Sequence, residues 1–459
     1  MDNPDMTPAL QSWSPQSWRH KEIRQQPVYD DPASLERVLN SVRSLPPLVH
    51  QGEVDTLREQ LVLAGRGDAF ILQGGDCAER FEDCTREAIE SKLKIILQMS
   101  LVLTWGARIP VVRIGRMAGQ YAKPRSSDTE MINGTALPTF RGDIVNGIEP
   151  TLAARRADPN RLAQAYFYSA ATLNNVRALL DGGFADLHHP QHWDLGFVRS
   201  VTSRAEYEGM LDRMLDSLNF VESTGVRGSA AFRTVEFYAS HEGLLLPYEE
   251  AMTVEVGKHW YNLGAHMIWI GERTRQLNGA HVEYFRGIEN PVGIKVGPSI
   301  SAAELVELIR AIEPANREGR VMLITRLGAS AAGNRLPELI AATREHQLNV
   351  VWACDPMHGN TITTESGYKT RRFDSIREEL RQTFEAHHKS GSHLSGVHFE
   401  LTGADVTECV GGPQELSEAD LPRSYETYCD PRLNYGQSLE MAFLLAQKLQ
   451  QRRQVPNAK

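Results

Sequence analysis

Eight short apolar segments, separated by stretches of helical periodicity, constrain the fold of this 459-residue chain more than any other feature. Each is bounded by Gly, Pro or polar residues, a pattern that favours a buried strand over a helix. Strands that alternate with helices predict a parallel sheet wrapped by helices, and eight such units close a (β/α)8 TIM barrel. The predicted strands are Ala69–Gln73, Pro110–Ile114, Thr234–Ala239, His266–Ile270, Val292–Val296, Val321–Thr325, Asn349–Ala353 and Gly396–Glu400.

An N-terminal extension precedes the predicted barrel. Residues 1–30 contain several prolines among polar residues and indicate an extended arm, and Trp13, Trp18 and Tyr29 predict that this arm lies against the rest of the protein. Helices are expected at Pro32–Ser44 and Gly52–Gly65. We therefore divide the chain into an arm with helices, residues 1–66, and a catalytic barrel, residues 67–459.

A helical insertion is expected between the second and third strands. They are about 120 residues apart, whereas a connection between neighbouring barrel strands commonly needs a few tens of residues. Leu162–Leu180 has a helical pattern, and Arg204–Thr224 carries apolar residues at helical spacing. The expected insertion, at about 127–232, is a helical subdomain. The basic tail from Arg452 to Lys459 is expected to be frayed.

Composition excludes several classes of function. The net charge of −9 gives no attraction to nucleic acid or to an anionic membrane. No window offers the roughly 18 uninterrupted apolar residues of a membrane span, and the polar N-terminus has no secretory signal. The five cysteines, an odd number, suit reduced thiols better than a disulfide framework. We expect a cytoplasmic protein.

Residues with metal-binding side chains follow several of the predicted strands. Cys77 follows the first strand, His358 the seventh, Glu400 ends the eighth, and Asp430 is held beside a proline further along the chain. Barrels keep their chemistry at the carboxyl ends of the strands, so these side chains predict a divalent metal site. For His358 alone, a hydrogen-bonded core histidine is the structural alternative. One thiolate, one imidazole and two carboxylates do not select between metals.

Basic side chains also concentrate near the strand ends. Lys295 interrupts an apolar run, and burying its ammonium without an anion would cost several kcal/mol or lower its pKa. Several cations at one barrel mouth indicate a ligand with more than one anionic group. The structural alternative is a set of ion pairs with Glu272, Asp143 or Asp355. The cations are Arg116, Lys123, Arg273, Lys295 and Arg326.

Five motifs in one order resemble the class II (plant-type) 3-deoxy-D-arabino-heptulosonate 7-phosphate (DAHP) synthases, and the resemblance extends from about Trp13 to about Leu449. The family condenses phosphoenolpyruvate with erythrose 4-phosphate and water in the first step of the shikimate pathway. The resemblance therefore implies a metal-dependent transferase that forms a carbon–carbon bond and releases phosphate. The motifs are Gln73–Glu79, Ala118–Ser126, Trp269–Arg275, Asp355–Thr361 and Cys429–Asn434.

The resemblance also assigns roles to residues. It implies that Cys77, His358, Glu400 and Asp430 hold one divalent metal, manganese or cobalt first, with zinc, iron or cadmium as alternatives. Arg125 and Ser126 match the site for the phosphate of erythrose 4-phosphate. Lys123, Glu272, Arg273 and Lys295 are expected to take part in the chemistry. The phosphoenolpyruvate contacts implied by the resemblance are Arg116, Lys123, Glu272, Arg273, Lys295 and Arg326.

One segment departs from the family pattern. After Arg326 the family commonly has Met-Gly and then polar residues, whereas this chain has Leu327–Gly333 with mostly small side chains. Arg326 is retained, so phosphate binding is expected to survive. The shape of this loop, and with it affinity or regulation, stays open.

Two other functions remain open at this point. The chain could be a related synthase that accepts another aldose phosphate, of the aminoDAHP type, or a non-catalytic regulatory paralogue. The insertion and the resemblance together predict a homo-oligomer with aromatic amino acids as effectors. The sequence does not identify the metal, the oligomer, the effectors or the pathway branch.

Overall fold

Eight parallel strands close into a barrel at the centre of the protein, as the sequence predicts. The structure is a computed structural model that describes residues 13–184 and 235–454, together with positions 209, 212, 213 and 216. Neighbouring strands follow chain order, and the last closes on the first with Ile71 beside Gly396. The strands are β1 (Phe70–Gly75), β2 (Val111–Arg116), β3 (Tyr238–Glu242), β4 (Met267–Ile270), β5 (Val292–Val296), β6 (Val321–Thr325), β7 (Val351–Cys354) and β8 (Gly396–Glu400).

The predicted strand bounds are confirmed for β5, β6 and β8, and those of β1, β2, β4 and β7 differ by one or two residues. The predicted bounds of β3 are wrong, because the strand begins four residues later than Thr234 and continues to Glu242. Ser240 and His241 are polar but buried, and Ser240 Oγ donates to Gly115 O at 2.9 Å. An apolar pattern cannot detect a strand that ends in buried polar residues.

Helices surround the barrel and fill its connections. The N-terminal helices are confirmed, and the second begins with a capping box between His50 and Glu53 and ends at Gly67, whose φ is 87°. The helices are α1 (Pro32–Arg43), α2 (Gln51–Arg66), α3 (Arg86–Ala107), α4 (Leu152–Arg155), α5 (Asn160–Asp181), α6 (Leu246–Ala251), α7 (Ala280–Phe285), α8 (Ala302–Ile312), α9 (Ala332–Glu345), α10 (Phe373–Lys389) and α11 (Tyr435–Gln454).

In the described part of the chain, three antiparallel hairpins lie in the connections between these elements. They pair Thr129–Ile132 with Thr135–Pro138, Thr253–Val256 with His259–Asn262, and Thr361–Thr363 with Lys369–Arg371.

Helix α2 belongs to the core of the barrel. Leu57, Leu61 and Ala64 are fully buried and cluster with strand residues such as Ile71 and Met267. Burial of a leucine side chain contributes about 1.5–3 kcal/mol, so this contact stabilises the barrel considerably. The division of the chain at residue 66 stays a prediction.

The arm packs against the barrel through its indole rings. Trp13 Nε1 donates to Glu283 O at 2.8 Å, and the buried Trp18 donates to Glu250 Oε2 at 3.1 Å. The expectation that this part of the chain lies against the rest of the protein is confirmed for Trp13 and Trp18.

The insertion follows β2, where the sequence predicts it. Helix α5 confirms the helix at Leu162–Leu180, whereas the predicted helix at Arg204–Thr224 lies largely outside the described residues. The predicted basic tail also begins inside a helix, because α11 continues to Gln454. All five cysteines are free thiols. Among the described helices, none has both the length and the apolar character needed to cross a membrane.

Candidate active site

A cavity of about 280 Å³ opens at the carboxyl ends of the barrel strands. It brings together all the predicted site residues except Glu400. Glu400 does not line the cavity but contacts His358, which does. Of the predicted residues, it is lined by Cys77, Arg116, Lys123, Arg125, Ser126, Glu272, Arg273, Lys295, Arg326, His358 and Asp430.

Three of the four predicted metal ligands form one compact group. Donor atoms of Cys77, Glu400 and Asp430 all lie within 4.8 Å of one another. The fourth, His358, begins a short 3-10 turn after β7, and its Nε2 is 3.0 Å from Glu400 Oε1. The barrel therefore gathers side chains that are far apart in the sequence.

The surroundings of His358 fit a metal ligand. Its Nδ1 is 2.7 Å from Asp355 Oδ2, which fixes the ring and turns Nε2 towards the group of donors. Metal-binding histidines usually have such a carboxylate on the other ring nitrogen. A thiol, an imidazole and two carboxylates in a buried pocket form a suitable donor set for a divalent transition metal.

Cations concentrate on the Glu400 carboxylate. Arg116 Nη2 donates to Oε1 at 3.1 Å, and Arg371 Nη2 lies 2.7 Å from Oε2. Burial alone raises the pKa of Glu400, but the charges of His358, Arg371 and Arg116 outweigh burial and hold that pKa well below its usual value. Glu400 is therefore ionised at neutral pH.

Lys123 lies among the predicted ligands. Its Nζ is 2.7 Å from Cys77 Sγ and 2.6 Å from Asp430 Oδ2. Burial raises the pKa of the Asp430 carboxyl, but the Lys123 ammonium and other cations lower it more, so the net shift is strongly downward. Burial raises the pKa of the Cys77 thiol well above its usual value. A bound cation would favour the thiolate.

Four of the predicted cations, Arg116, Lys123, Lys295 and Arg326, have acidic partners. Lys295 Nζ contacts Asp355 Oδ2, and Arg326 Nη1 contacts Glu272 Oε2. The ion pairs considered from the sequence are thus present for Glu272 and Asp355, while Asp143 instead accepts the Phe81 N–H at 2.7 Å. Glu272 lines the same cavity as the cations, whereas Asp355 is fully buried and does not line it.

Burial changes the pKa of Lys295. Its side chain is almost fully buried, and burial lowers its pKa to about 8 although Asp355 opposes that change. Lys295 Nζ lies 5.8 Å and Arg116 Cζ 5.2 Å from the centre of the Trp269 ring system, which offers both cations a π face. Arg125 pairs with Glu130 at 3.1 Å, while Ser126 and Arg273 are exposed residues of the cavity lining.

Several cavity residues were missed in the sequence. Glu242 ends β3 and is half-buried, and its buried Oε1 has no hydrogen-bond partner among the described residues. Lys369 Nζ lies 3.1 Å from Asp430 Oδ1. A lysine in a hairpin, such as Lys369, gives no signal in the sequence. Glu242 does give one, because it is a carboxylate at the carboxyl end of a barrel strand. The other missed lining residues are Gln120, Pro124, Trp269, Gly271 and Thr361.

Comparison with known proteins assigns this chain to a family. The model of the class-II DAHP synthetase family matches residues 13–446. A protein from Neurospora crassa named phospho-2-dehydro-3-deoxyheptonate aldolase is 49% identical over 98% of this chain and 97% of its own length. A protein of the same name from Streptomyces coelicolor is 48% identical over 94% of this chain and 96% of its own length.

Solved structures also resemble this chain. A phospho-2-dehydro-3-deoxyheptonate aldolase from Thermotoga maritima covers 84% of this chain and 69% of its own, with 14% identity and a TM-score of 0.34.

Proposed function

The chain belongs to the class-II DAHP synthetase family and is therefore a DAHP synthase, and we propose that it condenses phosphoenolpyruvate with erythrose 4-phosphate and water in a metal-dependent reaction. The observation that carries this proposal is that one cavity holds both a compact thiol–carboxylate group and a wall of cations.

The proposed metal ligands are Cys77, His358, Glu400 and Asp430. The short distances between their donor atoms and the contact of His358 with Asp355 support this assignment. A bound divalent metal supplies Lewis-acid polarisation of an aldehyde oxygen. The donor set does not choose between manganese, cobalt, zinc, iron and cadmium.

The cationic wall binds and orients the donor substrate in this proposal. Phosphoenolpyruvate carries a carboxylate and a phosphate, and Arg116, Lys295 and Arg326 offer charged N–H groups to them from β2, β5 and the end of β6. Glu272 and Arg273, which follow β4, complete that wall. Arg125 and Ser126 bind the phosphate of erythrose 4-phosphate, so that the two substrates meet above Lys123.

The bonds change in a defined order. Carbon 3 of phosphoenolpyruvate attacks the aldehyde carbon, whose oxygen gains a proton, and water adds at carbon 2 with loss of a proton. The carbon–oxygen bond to phosphate then breaks while the new hydroxyl group passes its proton to the departing phosphate, which gives the ketone and inorganic phosphate. Glu272 and Lys123 position the water, while Lys295, Arg273 and Arg326 hold the leaving phosphate and stabilise its charge.

Product analysis tests this proposal. Purified protein is offered phosphoenolpyruvate with erythrose 4-phosphate, or with its amino-substituted analogue, and the sugar acids formed are identified by mass spectrometry. DAHP formed from erythrose 4-phosphate supports the proposal. Product from the amino analogue alone would establish the aminoDAHP-type alternative, and no turnover with either would favour a regulatory paralogue.

We also propose a homo-oligomer whose activity responds to aromatic amino acids, with the insertion as a helical subdomain of a cytoplasmic enzyme. Helix α5 supports the assignment of a helical insertion. Initial rates at subsaturating substrates with tryptophan, phenylalanine and tyrosine, singly and in pairs, test the effectors. Coupling of about 1–3 kcal/mol would raise the apparent substrate requirement about 5- to 150-fold. Absence of binding at millimolar concentrations would contradict it.

A further inference from the structure

The loops after β6 and β7 share one buried acceptor, the carboxylate of Glu379 on α10. Its Oε1 accepts the N–H groups of Leu327 and Gly328, each at 2.9 Å. Its Oε2 accepts Asn360 Nδ2 at 2.7 Å. Asn360 Oδ1 in turn accepts the Ala329 N–H at 3.0 Å, which closes the network between the two loops.

The two loops also touch backbone to backbone. Gly328 has a φ of 82°, and a Cβ added at Gly359 would lie 2.4 Å from Gly328 N. Any side chain at Gly359 would therefore force the loops apart. Arg326 Nη2 donates to His358 O at 3.2 Å, so the side chain from one loop rests on the backbone of the other.

Glu379 is an unusual residue to bury for packing alone. Its relative exposure is 1%, and among the described residues its side chain pairs with neither a proposed metal ligand nor a cation. Burial raises its pKa to about 8, against the effect of its N–H donors. An apolar side chain would avoid the cost of burying a carboxyl group but could not accept three N–H groups.

We infer that Glu379, with Asn360, is a positioning residue that fixes the loops carrying Arg326 and His358 in one arrangement, and so couples the phosphate site to the metal site. This inference rests on the proposed function. It also explains the small side chains of Leu327–Gly333, because this loop is held through its backbone: Gln382 Oε1 accepts the Gly333 N–H at 2.9 Å.

The test measures two equilibria that do not need turnover. Metal affinity is obtained by competition with a chromophoric chelator, using Mn²⁺, and phosphoenolpyruvate affinity by calorimetry. Glu379→Gln keeps an acceptor for Leu327 and Gly328 but turns an N–H group towards Asn360 Nδ2. Both affinities are expected to fall about 10-fold or more together, as when partners of metal ligands are removed. Asn360→Ala, which removes the other half of the network at a less buried position, is expected to do the same.

A compensating pair sharpens the test. In Glu379→Gln combined with Asn360→Asp, the introduced amide can donate to the introduced carboxylate, which still accepts the Ala329 N–H. The pair is expected to regain part of both affinities relative to Asn360→Asp alone, in which two carboxyl groups face each other and no amide N–H is left to donate to Glu379. Glu378→Gln is the matched control, since Glu378 is exposed and pairs with Arg381, and it should change neither affinity.

If folded Glu379→Gln and Asn360→Ala lose only one of the two affinities, or neither, the inference is overturned. It is also overturned if the double variant binds Mn²⁺ and phosphoenolpyruvate no more tightly than Asn360→Asp does. Folding is checked by circular dichroism. A wild-type protein that binds neither Mn²⁺ nor phosphoenolpyruvate would instead contradict the proposed function, so the two failures are distinguishable.

Discussion

Arg432 Nη1 donates to Asp76 Oδ1 at 2.7 Å, and this contact joins the loop after β1 to the loop before α11. Asp76 directly precedes Cys77, and Arg432 follows Asp430 by two residues. Asp76 also pairs with Lys92, and Arg432 Nη2 donates to Glu408 Oε1 at 2.8 Å. A buried network of charges thus lies directly behind two of the proposed metal ligands.

Replacing Arg432 by methionine is expected to destabilise the protein by about 3–5 kcal/mol, because Asp76 and Glu408 would keep buried charges with fewer partners. Denaturant unfolding gives the free energy, and metal competition should show weaker binding. Arg423→Met is the control, since this exposed arginine pairs with Asp420 only at 3.7 Å and contributes about 1 kcal/mol or less. A variant at Arg432 as stable as wild type would show the network to be dispensable.

Cys77→Ser and His358→Ala should each abolish turnover while the barrel stays folded, because these side chains are proposed ligands and the core has many other contacts. Activity, metal content and circular dichroism of the purified variants check this. Cys84→Ser is the matched control: this half-buried thiol lies 3.4 Å from Thr172 Oγ1, away from the cavity, and its loss should be tolerated. Full activity of Cys77→Ser would remove it from the ligand set.

Lys295→Met and Arg326→Ala should each reduce kcat/KM for phosphoenolpyruvate by more than about tenfold, since a charge-assisted hydrogen bond contributes about 1.5–3 kcal/mol. Neither removes a proposed ligand, so metal content measured after dialysis should stay at the wild-type level. Arg317→Ala, at an exposed cation outside the cavity, should leave the kinetics unchanged. Unaltered kinetics in both cavity variants would mean that the two cations serve only their ion pairs.

The pH dependence of activity is expected to reflect the ionisation of Lys295, because burial lowers the pKa of this residue to about 8. A lysine is charged below its pKa, so kcat/KM for phosphoenolpyruvate is expected to fall, approaching about tenfold per pH unit, above that pH. In the unfolded chain a lysine keeps its proton to about pH 10.4, so the folded state binds fewer protons between these values. This group therefore makes the free energy of unfolding rise with pH in that window, the opposite of its effect on activity.

The Lys295→Arg variant tests whether the alkaline fall in kcat/KM comes from Lys295, because arginine stays charged throughout this pH range. The variant should lose the alkaline fall in kcat/KM at about pH 8. An unchanged fall in an active Lys295→Arg enzyme would assign it to another residue.

Much of the barrel could be predicted because buried parallel strands leave apolar runs in the sequence, as Val292–Val296 and Val321–Thr325 do. The bounds of β3 do not follow from the sequence, because Ser240 and His241 are buried but polar, and burial depends on the neighbours that the fold supplies. Lys295 was noticed because a cation inside an apolar strand is anomalous.

Other parts of the site depend on pairs that are remote in the chain. Lys369 approaches Asp430 across 61 positions, and Glu379 approaches Leu327 across 52. Neither residue breaks a local pattern: Glu379 lies in a helix rich in charged residues, where a glutamate is ordinarily exposed. Such contacts follow from the packing of the helices and loops around the barrel, which periodicity does not specify.

Release of inorganic phosphate from phosphoenolpyruvate, measured with and without erythrose 4-phosphate after chelation and metal add-back, tests the central claim most directly. The account predicts release only when both substrates are present, none above background in the chelated protein, and recovery on addition of Mn²⁺ or another divalent ion of the proposed set. Full-rate release by verified metal-free protein, or release independent of erythrose 4-phosphate, would contradict it.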